Sequence, residues 1–447
     1  MKKNIYYTLF SVFVFIQSTI VQAQEAPKES LSLEQAFVLA LKNNKTIKVE
    51  ERRVSITQEK VSLGNAGLLP TVKLIGEASY TNNESELTIR TFQPPPNPMT
   101  VNFDESGVAS TTLSGIIQAE YTIFAGFSGK YRYKLLKKQN KVAQYQQKIS
   151  VDNTILNVTR LFLEIAKLQQ RQELLEEIIL IERNRMERIN DKKLFGQATG
   201  LDVLRAKSNF NRDKSALDAL LLSKNSLLRN LNFLIGYEPN RTYRVNAIYT
   251  INTLEDLEMI KADVLANNPK LKLANEGVLI SDDQVELARS QEFPRLDMFA
   301  NYGYFNQNND LQQLAEITNL GYTVGGRISF NIFNGGKVKT NIKVAKLRKE
   351  ESQLQKEQLS DRLITEAITE LNRISILKDQ LKREEENLTS FQEAYTRTEE
   401  RFKNGNATNL VLRDAQTALF NAQITIAELQ IDLIRSNITL STLRGKI

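Results

Sequence analysis

The sequence predicts a mainly α-helical protein that also carries a transmembrane β-barrel, built from two tandem copies of one helix-strand-strand-helix unit. Three observations predict this fold class. A segment that begins at Leu33 recurs 224 residues later at Leu257, which indicates an internal duplication. Two segments of each copy alternate apolar and polar residues over about 10 positions, the length of a tilted strand that crosses a bilayer. Two further segments, Lys130 to Gly196 and Lys339 to Gly405, have no proline or glycine between those ends, and each would form a helix of about 100 Å.

The N-terminus has the features of a secretory signal peptide. Two lysines precede an apolar run that ends near Ile16, and a V-Q-A sequence ends at Ala23, which is typical of a cleavage site. A membrane anchor is the alternative, but an anchor needs about 20 apolar residues, and Gln17 interrupts this run. We therefore predict that residues 1–23 are removed on export.

The mature chain is predicted to divide near residue 250 into two structural repeats. In the first repeat, 24–250, we expect helices at about 33–68, 128–194 and 199–236 and strands at about 70–82 and 111–124. In the second repeat, 251–447, we expect helices at about 255–292, 337–403 and 408–445 and strands at about 294–306 and 321–333. From Ile123 onward the offset between the copies falls to 209, so the first repeat holds a longer loop between its strands, where "QPPPNP" stands. Proline-rich sequence of this kind excludes helix and interior strand.

The first strand of each repeat begins at a proline, Pro70 or Pro294, directly after a helix. Within the second strands, Ile117 and Ile328 belong to the apolar face, and Gln118 belongs to the polar face. Such strands match a transmembrane barrel with aromatic residues near the strand ends. A four-stranded sheet packed on helices in a soluble α+β protein gives the same alternation, so the alternation alone leaves both interpretations open.

The proline-free segments carry the spacing of a left-handed coiled coil. In the second copy the apolar residues fall on steps of three and four, at Ile374, Leu377, Leu381, Leu388, Phe391, Tyr395 and Phe402. This period of about 3.5 residues specifies helices that supercoil around one another. We interpret these apolar residues as a helix-packing surface with no catalytic or binding role.

The number of strands constrains the assembly. Four strands cannot close a barrel, and lipid does not tolerate open strand edges. Two chains would supply eight strands, whose interior is filled by side chains, whereas three chains supply twelve and leave room for a channel. A trimer is thus the smallest assembly that makes a conduit.

Paired motifs at corresponding places in the two copies then point to a family. They are the helix-to-strand corners "LLP" and "EFP", the strand-to-helix corners "FAGFSGK" and "FNGGK", and the tip motifs "GQATGLDVLRA" and "GNATNLVLRDA". From about Leu33 to Gly445 the chain resembles the TolC-like outer-membrane efflux family. The resemblance implies a homotrimer in which a twelve-stranded outer-membrane barrel, surrounded by lipid, continues as a long α-helical coiled-coil barrel into the periplasm.

The resemblance also implies a function and partners. It implies the outer-membrane channel and exit duct of a tripartite efflux or type I secretion system, working with a periplasmic adaptor (membrane fusion protein) and an inner-membrane pump. The alternative from another class is a periplasmic coiled-coil scaffold or adaptor protein without a membrane barrel. The substrate is not readable from the sequence, because selection is expected to lie with the pump.

Two sets of site residues follow from the resemblance. Adaptor docking is implied at the hairpin tips, at Gly196, Thr199, Leu201, Gly405, Thr408 and Leu410. A periplasmic pore constriction is implied at Asp202, Asp414 and Phe402. The competing interpretation is that the glycines and threonines only end and cap helices and that the aspartates are only solvated. Phe402 stands where the family commonly has a gate tyrosine, and Ala407 where it has a gate arginine, so we expect different gating bonds.

Composition argues against enzymes and nucleic-acid binding. The chain has no histidine and no cysteine, which excludes Ser-His-Asp and Cys-His catalysis and the usual zinc sites. It has no P-loop or dinucleotide-binding glycine pattern. The formal charge of +7 is spread over 447 residues, with basic and acidic residues interleaved. We therefore expect no catalytic residue, no cofactor, no metal and no nucleic-acid partner.

Overall fold

A computed structural model describes residues 30–91, 99–246, 256–310 and 315–446. The predicted signal peptide and the "QPPPNP" loop lie outside these ranges. Across the described ranges, none of the helices is both long enough and apolar enough to cross a bilayer. The division into two repeats at residue 250 stays a prediction.

The secondary structure elements follow the same order twice. The first series is β1 (Ser30–Ser32), α1 (Leu33–Asn43), α2 (Lys45–Glu59), β2 (Thr71–Thr91), β3 (Met99–Ala125), α3 (Ser128–Leu194) and α4 (Gly200–Ile235). The second is β4 (Arg244–Asn246), α5 (Leu257–Asn267), α6 (Pro269–Arg289), β5 (Arg295–Asn309), β6 (Glu316–Ser329), α7 (Lys337–Lys403) and α8 (Asn409–Leu443). Both α3 and α7 contain 67 residues.

The helices expected at about 33–68 and 255–292 were wrong as single helices, because each is broken by an asparagine. Asn44 has extended backbone angles, and its Oδ1 accepts hydrogen bonds from the amides of Thr46 and Ile47. Asn268 has the same conformation and is followed by Pro269 at the first position of α6. An asparagine side chain that caps the next helix competes with continuation of the preceding one. Each interruption redirects the chain between two short helices.

The two short strands β1 and β4, which pair in parallel, were not predicted from the sequence. Three residues are too few to display an alternation. The pair covers a hydrophobic core that joins α1, α3, α4 and α8, in which Phe162, Leu231 and Ile235 are fully buried. This core lies beside the middle of α3 rather than at either end of the long helices.

The four long strands form one antiparallel sheet in the order β2-β3-β5-β6. Ile117 of β3 lies opposite Leu74 on one side and Tyr302 on the other, so these three side chains share a face. Gln118 lies opposite Lys73 and Asn301 on the other face. The face assignment is therefore as predicted, and β2 and β6 are the open edges of the sheet in one chain.

The strand lengths in the first repeat differ from the prediction. The strands expected at about 70–82 and 111–124 extend to Thr91 and begin at Met99, with 21 and 27 residues. A register irregularity between Asn83 and Ser85 marks the point beyond which the ladder continues. Antiparallel backbone pairing does not require an apolar face, so the hydrophobic pattern underestimated these strands.

The long helices pair as two hairpins, α3 with α4 and α7 with α8. At 1.5 Å per residue, α3 and α7 each extend for about 100 Å. The two halves of the chain meet along α3, which contacts α6 in one part of its length and α8 in another. Consequently, the tips of both hairpins lie far from the sheet.

Asp152 on α3 gives the fold a measurable pH dependence. Asp152 lines a cavity of about 330 Å³ together with Lys270 and Glu366. Burial raises the pKa of Asp152 from 3.8 to about 6, against the opposing effect of Lys270 and Lys148. The folded state binds the proton of the Asp152 carboxyl more tightly than the unfolded state does. This proton binding therefore raises the free energy of unfolding below pH 4, and the gain is lost as the pH rises through about 6. We expect Asp152→Asn to be more thermostable than the parent at pH 7.5 and to lose that advantage at pH 4, measured by circular dichroism; an equal difference at both pH values would contradict this.

Candidate functional site

The two hairpin tips turn in the same way, through a left-handed glycine followed by a threonine N-cap. After α3 and α7 end, Gly196 and Gly405 adopt the left-handed conformation, with φ of 71° and 77°. This conformation is easily accessible only to glycine. The next helices begin four residues after these glycines, with Thr199 and Thr408 as their N-caps. The predicted tip glycines and threonines are thus brought to equivalent positions.

The caps of the two tips differ in one respect. In the first tip, the Thr199 hydroxyl accepts from the Asp202 amide at 3.2 Å, and Asp202 Oδ2 accepts from the Thr199 amide at 2.9 Å. These two bonds form a capping box. In the second tip, the Thr408 hydroxyl accepts from the amide of Val411 at 3.4 Å, and valine returns no hydrogen bond. The N-cap of the first tip therefore has a reciprocal hydrogen bond that the N-cap of the second tip lacks.

The carboxylate of Asp202 is hydrogen-bonded to the N-cap residue Thr199 and is not only solvated. The hydroxyl of Thr199 also donates to Asp202 Oδ2 at 2.6 Å. Hydrogen bonds from Thr199 hold the pKa of Asp202 below its usual value, so the carboxylate stays charged at neutral pH. Asp414 is exposed on α8, in the other hairpin. Within one chain the two aspartates therefore lie on different hairpins, and a constriction that uses both stays a prediction.

The remaining predicted tip residues lie at the surface. Leu201 and Leu410, each two residues after its cap, are exposed. Phe402 is half-buried near the end of α7, where Lys192 Nζ of α3 lies 5.6 Å from the centre of its ring. Phe402 thus contributes a cation–π contact between the hairpins, at the position where the family pattern commonly has tyrosine. Docking at these tips stays a prediction.

A buried charge cluster joins the two hairpins near the tips. Arg413 of α8 contacts Glu182 of α3 at 2.5 Å and Asp213 of α4 at 3.1 Å. Arg185 donates to Glu182 at 2.7 Å and to Gln416 Oε1 of α8 at 3.0 Å. The side chains of Glu182 and Arg185 are only 1% and 6% exposed. Three helices are therefore linked through ionised groups that are shielded from water.

Burial has a direct electrostatic consequence in this cluster. Desolvation lowers the pKa of the Arg185 guanidinium from its usual value, while Glu182 opposes that effect. A buried charge is costly unless a partner compensates it. Sequence reasoning missed the cluster because it followed apolar residues. The available signal was a charged Glu182 at the position where the second copy has Phe391.

A cleft of about 420 Å³ opens between α3 and α7 beside this cluster. Basic side chains from both helices line it, including Arg188, Lys192 and Lys403, with Glu399 as the acidic group. Burial raises the pKa of Tyr395 in its wall, and Glu399 adds to the effect. In the described ranges, no group of three or more acidic, histidine or cysteine residues is arranged to hold a metal ion.

The sequence of this chain matches the model of a known protein family. The model of the family described as "Outer membrane efflux protein" matches residues 36–237 and 262–446. The two matched ranges together span most of the chain and correspond to its two halves.

The chain is also similar to individual outer membrane proteins of efflux and export systems, at low sequence identity. The solvent efflux pump outer membrane protein SrpC of Pseudomonas putida is 25% identical over 247 residues, which cover 55% of this chain and 52% of SrpC. The chain thus spans about half the length of this relative. The pyoverdine export outer membrane protein OpmQ of Pseudomonas aeruginosa is 22% identical over 416 residues, covering 90% of this chain and 82% of OpmQ.

Solved structures share the fold over nearly the whole chain. The Campylobacter jejuni CmeC outer membrane channel has a TM-score of 0.74 at 17% identity, covering 99% of this chain and 94% of that one. The Vibrio cholerae outer membrane protein VceC has a TM-score of 0.72 at 18% identity, covering 92% of this chain and 96% of that one. These likenesses establish the fold: a helical barrel with a β-domain.

Proposed function

Because this chain belongs to the outer membrane efflux protein family, we propose that it is the outer-membrane exit duct of a tripartite efflux or type I secretion system. In this proposal three chains close a twelve-stranded barrel in lipid, and their helices continue the tube into the periplasm. Substrates pass through it passively, since the family is one of efflux proteins and not of enzymes.

The sheet supports the proposal more than any other single feature. It has two unpaired edges, β2 and β6, and an apolar face on which Leu74, Tyr302 and Ile328 are exposed in one chain. Open edges and an exposed apolar face are both unfavourable in a free monomer. Closure by neighbouring copies would satisfy the edges, and lipid would cover the face.

The end of the molecule that is far from the sheet has two proposed roles. The hairpin tips, with exposed Leu201 and Leu410, are proposed to contact a periplasmic adaptor, which in turn connects to an inner-membrane pump. The nearby aspartates are proposed to line the constriction of the tube. The transported substrate stays undefined, because a shared duct does not need to select it.

Membrane fractionation tests the proposal against the periplasmic scaffold alternative. We expect the protein in purified outer membranes, in a detergent-resistant trimer that dissociates to monomers when heated before electrophoresis. Release of the protein in water-soluble form, without detergent, would contradict the duct and favour the scaffold.

The constriction yields a separate prediction. Three chains would place up to six carboxylates, from Asp202 and Asp414, around the axis, and low-dielectric walls would focus their field on cations. We expect Asp202→Asn with Asp414→Asn to lower the cation preference and the sensitivity to divalent-ion block in planar bilayers. Asparagine retains an oxygen that can accept the Thr199 amide hydrogen bond, so trimers should still form. Unchanged selectivity and unchanged block would show that these aspartates do not line the pore.

A further inference from the structure

The cleft between α3 and α7 carries an excess of positive charge, and we call it the basic cleft. Its cationic side chains are Arg185, Arg188 and Lys192 of α3 and Lys403 of α7. Among the described residues of its wall, the acidic one is Glu399 of α7. Four positive charges against one negative charge leave a formal charge of +3 around a volume of about 420 Å³. Like charges gathered in a concave site attract anions.

Contacts inside the chain leave most of this charge uncompensated. Lys403 lies 3.2 Å from Glu399, so the carboxylate of the wall already has a partner. Lys192 contacts the ring of Phe402, which attracts the ammonium group but carries no net charge. Within the described ranges, the guanidinium of Arg188 forms neither a hydrogen bond nor an ion pair. The charges of Arg188 and Lys192 are therefore available to a ligand.

Arg185 brings a buried charge to the wall of the basic cleft. Its side chain is 6% exposed, and it donates hydrogen bonds to Glu182 and Gln416. Glu182 also contacts Arg413, so two guanidinium groups share this carboxylate. Desolvation lowers the pKa of the Arg185 guanidinium, and the neighbouring charges of Arg413 and Arg188 lower it further. An anion in the cleft would offset this repulsion between cations.

Neutral groups in the wall suit a ligand that carries hydrogen-bond acceptors. The amide of Asn184 and the hydroxyl of Tyr395 both belong to the lining. Burial raises the pKa of Tyr395, so its hydroxyl keeps its proton at neutral pH and can donate it to an acceptor. Apolar surface, which reduces the screening of charge by water, comes from Ile181, Ile189 and Leu412. The volume falls within the range of about 300–1,000 Å³ that is typical of small-molecule pockets.

The charge and size of the basic cleft disfavour other classes of ligand. A metal ion would be repelled by the net positive charge of the wall. A nucleic acid needs a longer track of basic residues, whereas basic and acidic residues are interleaved along the rest of α3 and α7. A halide ion would leave most of the positive charge uncompensated. A small multivalent anion matches both the charge and the volume.

We propose that the basic cleft binds a small organic anion with two or more carboxylate or phosphate groups. The planar guanidinium of arginine matches the geometry of both kinds of oxyanion. Arg185 and Arg188 bind one anionic group from α3, and Lys403 binds another from α7. The ligand thus bridges the two long-helix hairpins of one chain.

This site goes beyond the proposed duct, because every residue of its wall lies in one chain. It requires no trimer, and it does not define what the duct conducts. The two sides of the wall belong to α3 and α7, so a separation of these helices would pull the binding groups apart and lower the affinity for the anion. Conversely, the bound anion favours the arrangement in which α3 and α7 lie together.

Isothermal titration calorimetry on the purified full chain in detergent tests this site, with citrate and pyrophosphate as separate probes. Citrate presents carboxylates and pyrophosphate presents phosphoryl groups, so the two titrations distinguish the two sources of anionic oxygen. We expect saturable binding of at least one probe, with one site per chain. Arg188→Gln and Lys403→Gln should each weaken binding about tenfold, through loss of a charge-assisted hydrogen bond.

The double variant Arg183→Gln with Arg397→Gln is a matched control for Arg188→Gln with Lys403→Gln. Each double variant removes one positive charge from α3 and one from α7. Arg183 and Arg397 pair with exposed glutamates of their own helices and are not among the residues that line the basic cleft. All four substituted side chains are exposed, so the variants should fold. The control should keep the affinity of the parent chain.

Three results would overturn the proposed site. The first is the absence of saturable binding of either probe up to millimolar concentrations. The second is equal weakening in the two double variants, which would show only a general attraction to a basic chain. The third is weakening by only one of Arg188→Gln and Lys403→Gln, because the ligand would then not bridge the hairpins. The titration needs neither a membrane nor a trimer, so its failure leaves the duct proposal standing, and failure of the duct leaves this site standing.

Discussion

Replacing Glu182 by leucine is expected to destabilise each chain by about 3–5 kcal/mol, because the substitution leaves buried positive charges without their shared partner. Arg185 would lose its carboxylate, and Arg413 would keep only Asp213. The loss would also weaken the contact between the two hairpins. Urea unfolding in detergent, followed by helical circular dichroism, provides the measurement.

The matched control for this prediction is Glu428→Leu, at another contact between α8 and α3. Glu428 pairs with Lys167, and both side chains are at least 30% exposed. Solvent-exposed ion pairs contribute about 0–1 kcal/mol, so this variant should remain close to the parent. Equal stability losses in the two variants would contradict the view that the buried cluster fastens the hairpins together.

Replacing Ile117 or Ile328 by arginine is expected to cost about 2–4 kcal/mol where the residue lies near the bilayer midplane. Both side chains lie on the apolar face of the sheet, and lipid offers no solvation to a guanidinium there. Gln118→Arg is the control, since Gln118 neighbours Ile117 but lies on the opposite face. Trimer yield in outer membranes should fall for the two isoleucine variants only. If arginine on either face gives the same trimer yield, the sheet does not form a barrel in lipid.

Much of the architecture was readable from sequence because it depends on periodic patterns. The alternation placed Ile117 and Gln118 on opposite faces of a strand, and the strand register agrees. The long proline-free runs predicted α3 and α7 closely. The breaks at Asn44 and Asn268 were missed, since a single capping side chain overrides a continuous helical pattern.

The candidate site was only partly predictable. Thr199 and Gly196 were recognisable at a tip because cap residues have local signatures. The cluster around Glu182 was not recognisable, because its partner Arg413 is 231 residues away in sequence. Only the folded chain brings these residues together. Whether the tips dock an adaptor stays a prediction, since docking depends on a second protein.

In the proposed duct, the open sheet edges of neighbouring chains pair to close one barrel. Within a chain, Ile117 of β3 lies opposite Tyr302 of β5. The strand registers show which positions correspond, because Leu74 pairs with Ile117 as Met298 pairs with Gly326. Ile117 and Tyr302 thus correspond to Gly326 of β6 and Ala78 of β2. Since β2 and β6 are the outer strands of the four-stranded sheet, they are about 14 Å apart within one chain, too far for a disulfide.

Oxidation of the variant Ala78→Cys with Gly326→Cys in outer membranes tests whether β6 of one chain pairs with β2 of the next. We expect disulfide-linked trimers on denaturing gels, because three interchain links close the ring. Moving one cysteine by a single residue, to Arg327→Cys, should abolish the link, since the thiol then lies on the other face of the sheet. Unlinked monomers from Ala78→Cys with Gly326→Cys, in membranes where the protein is otherwise folded, would contradict barrel closure by three copies.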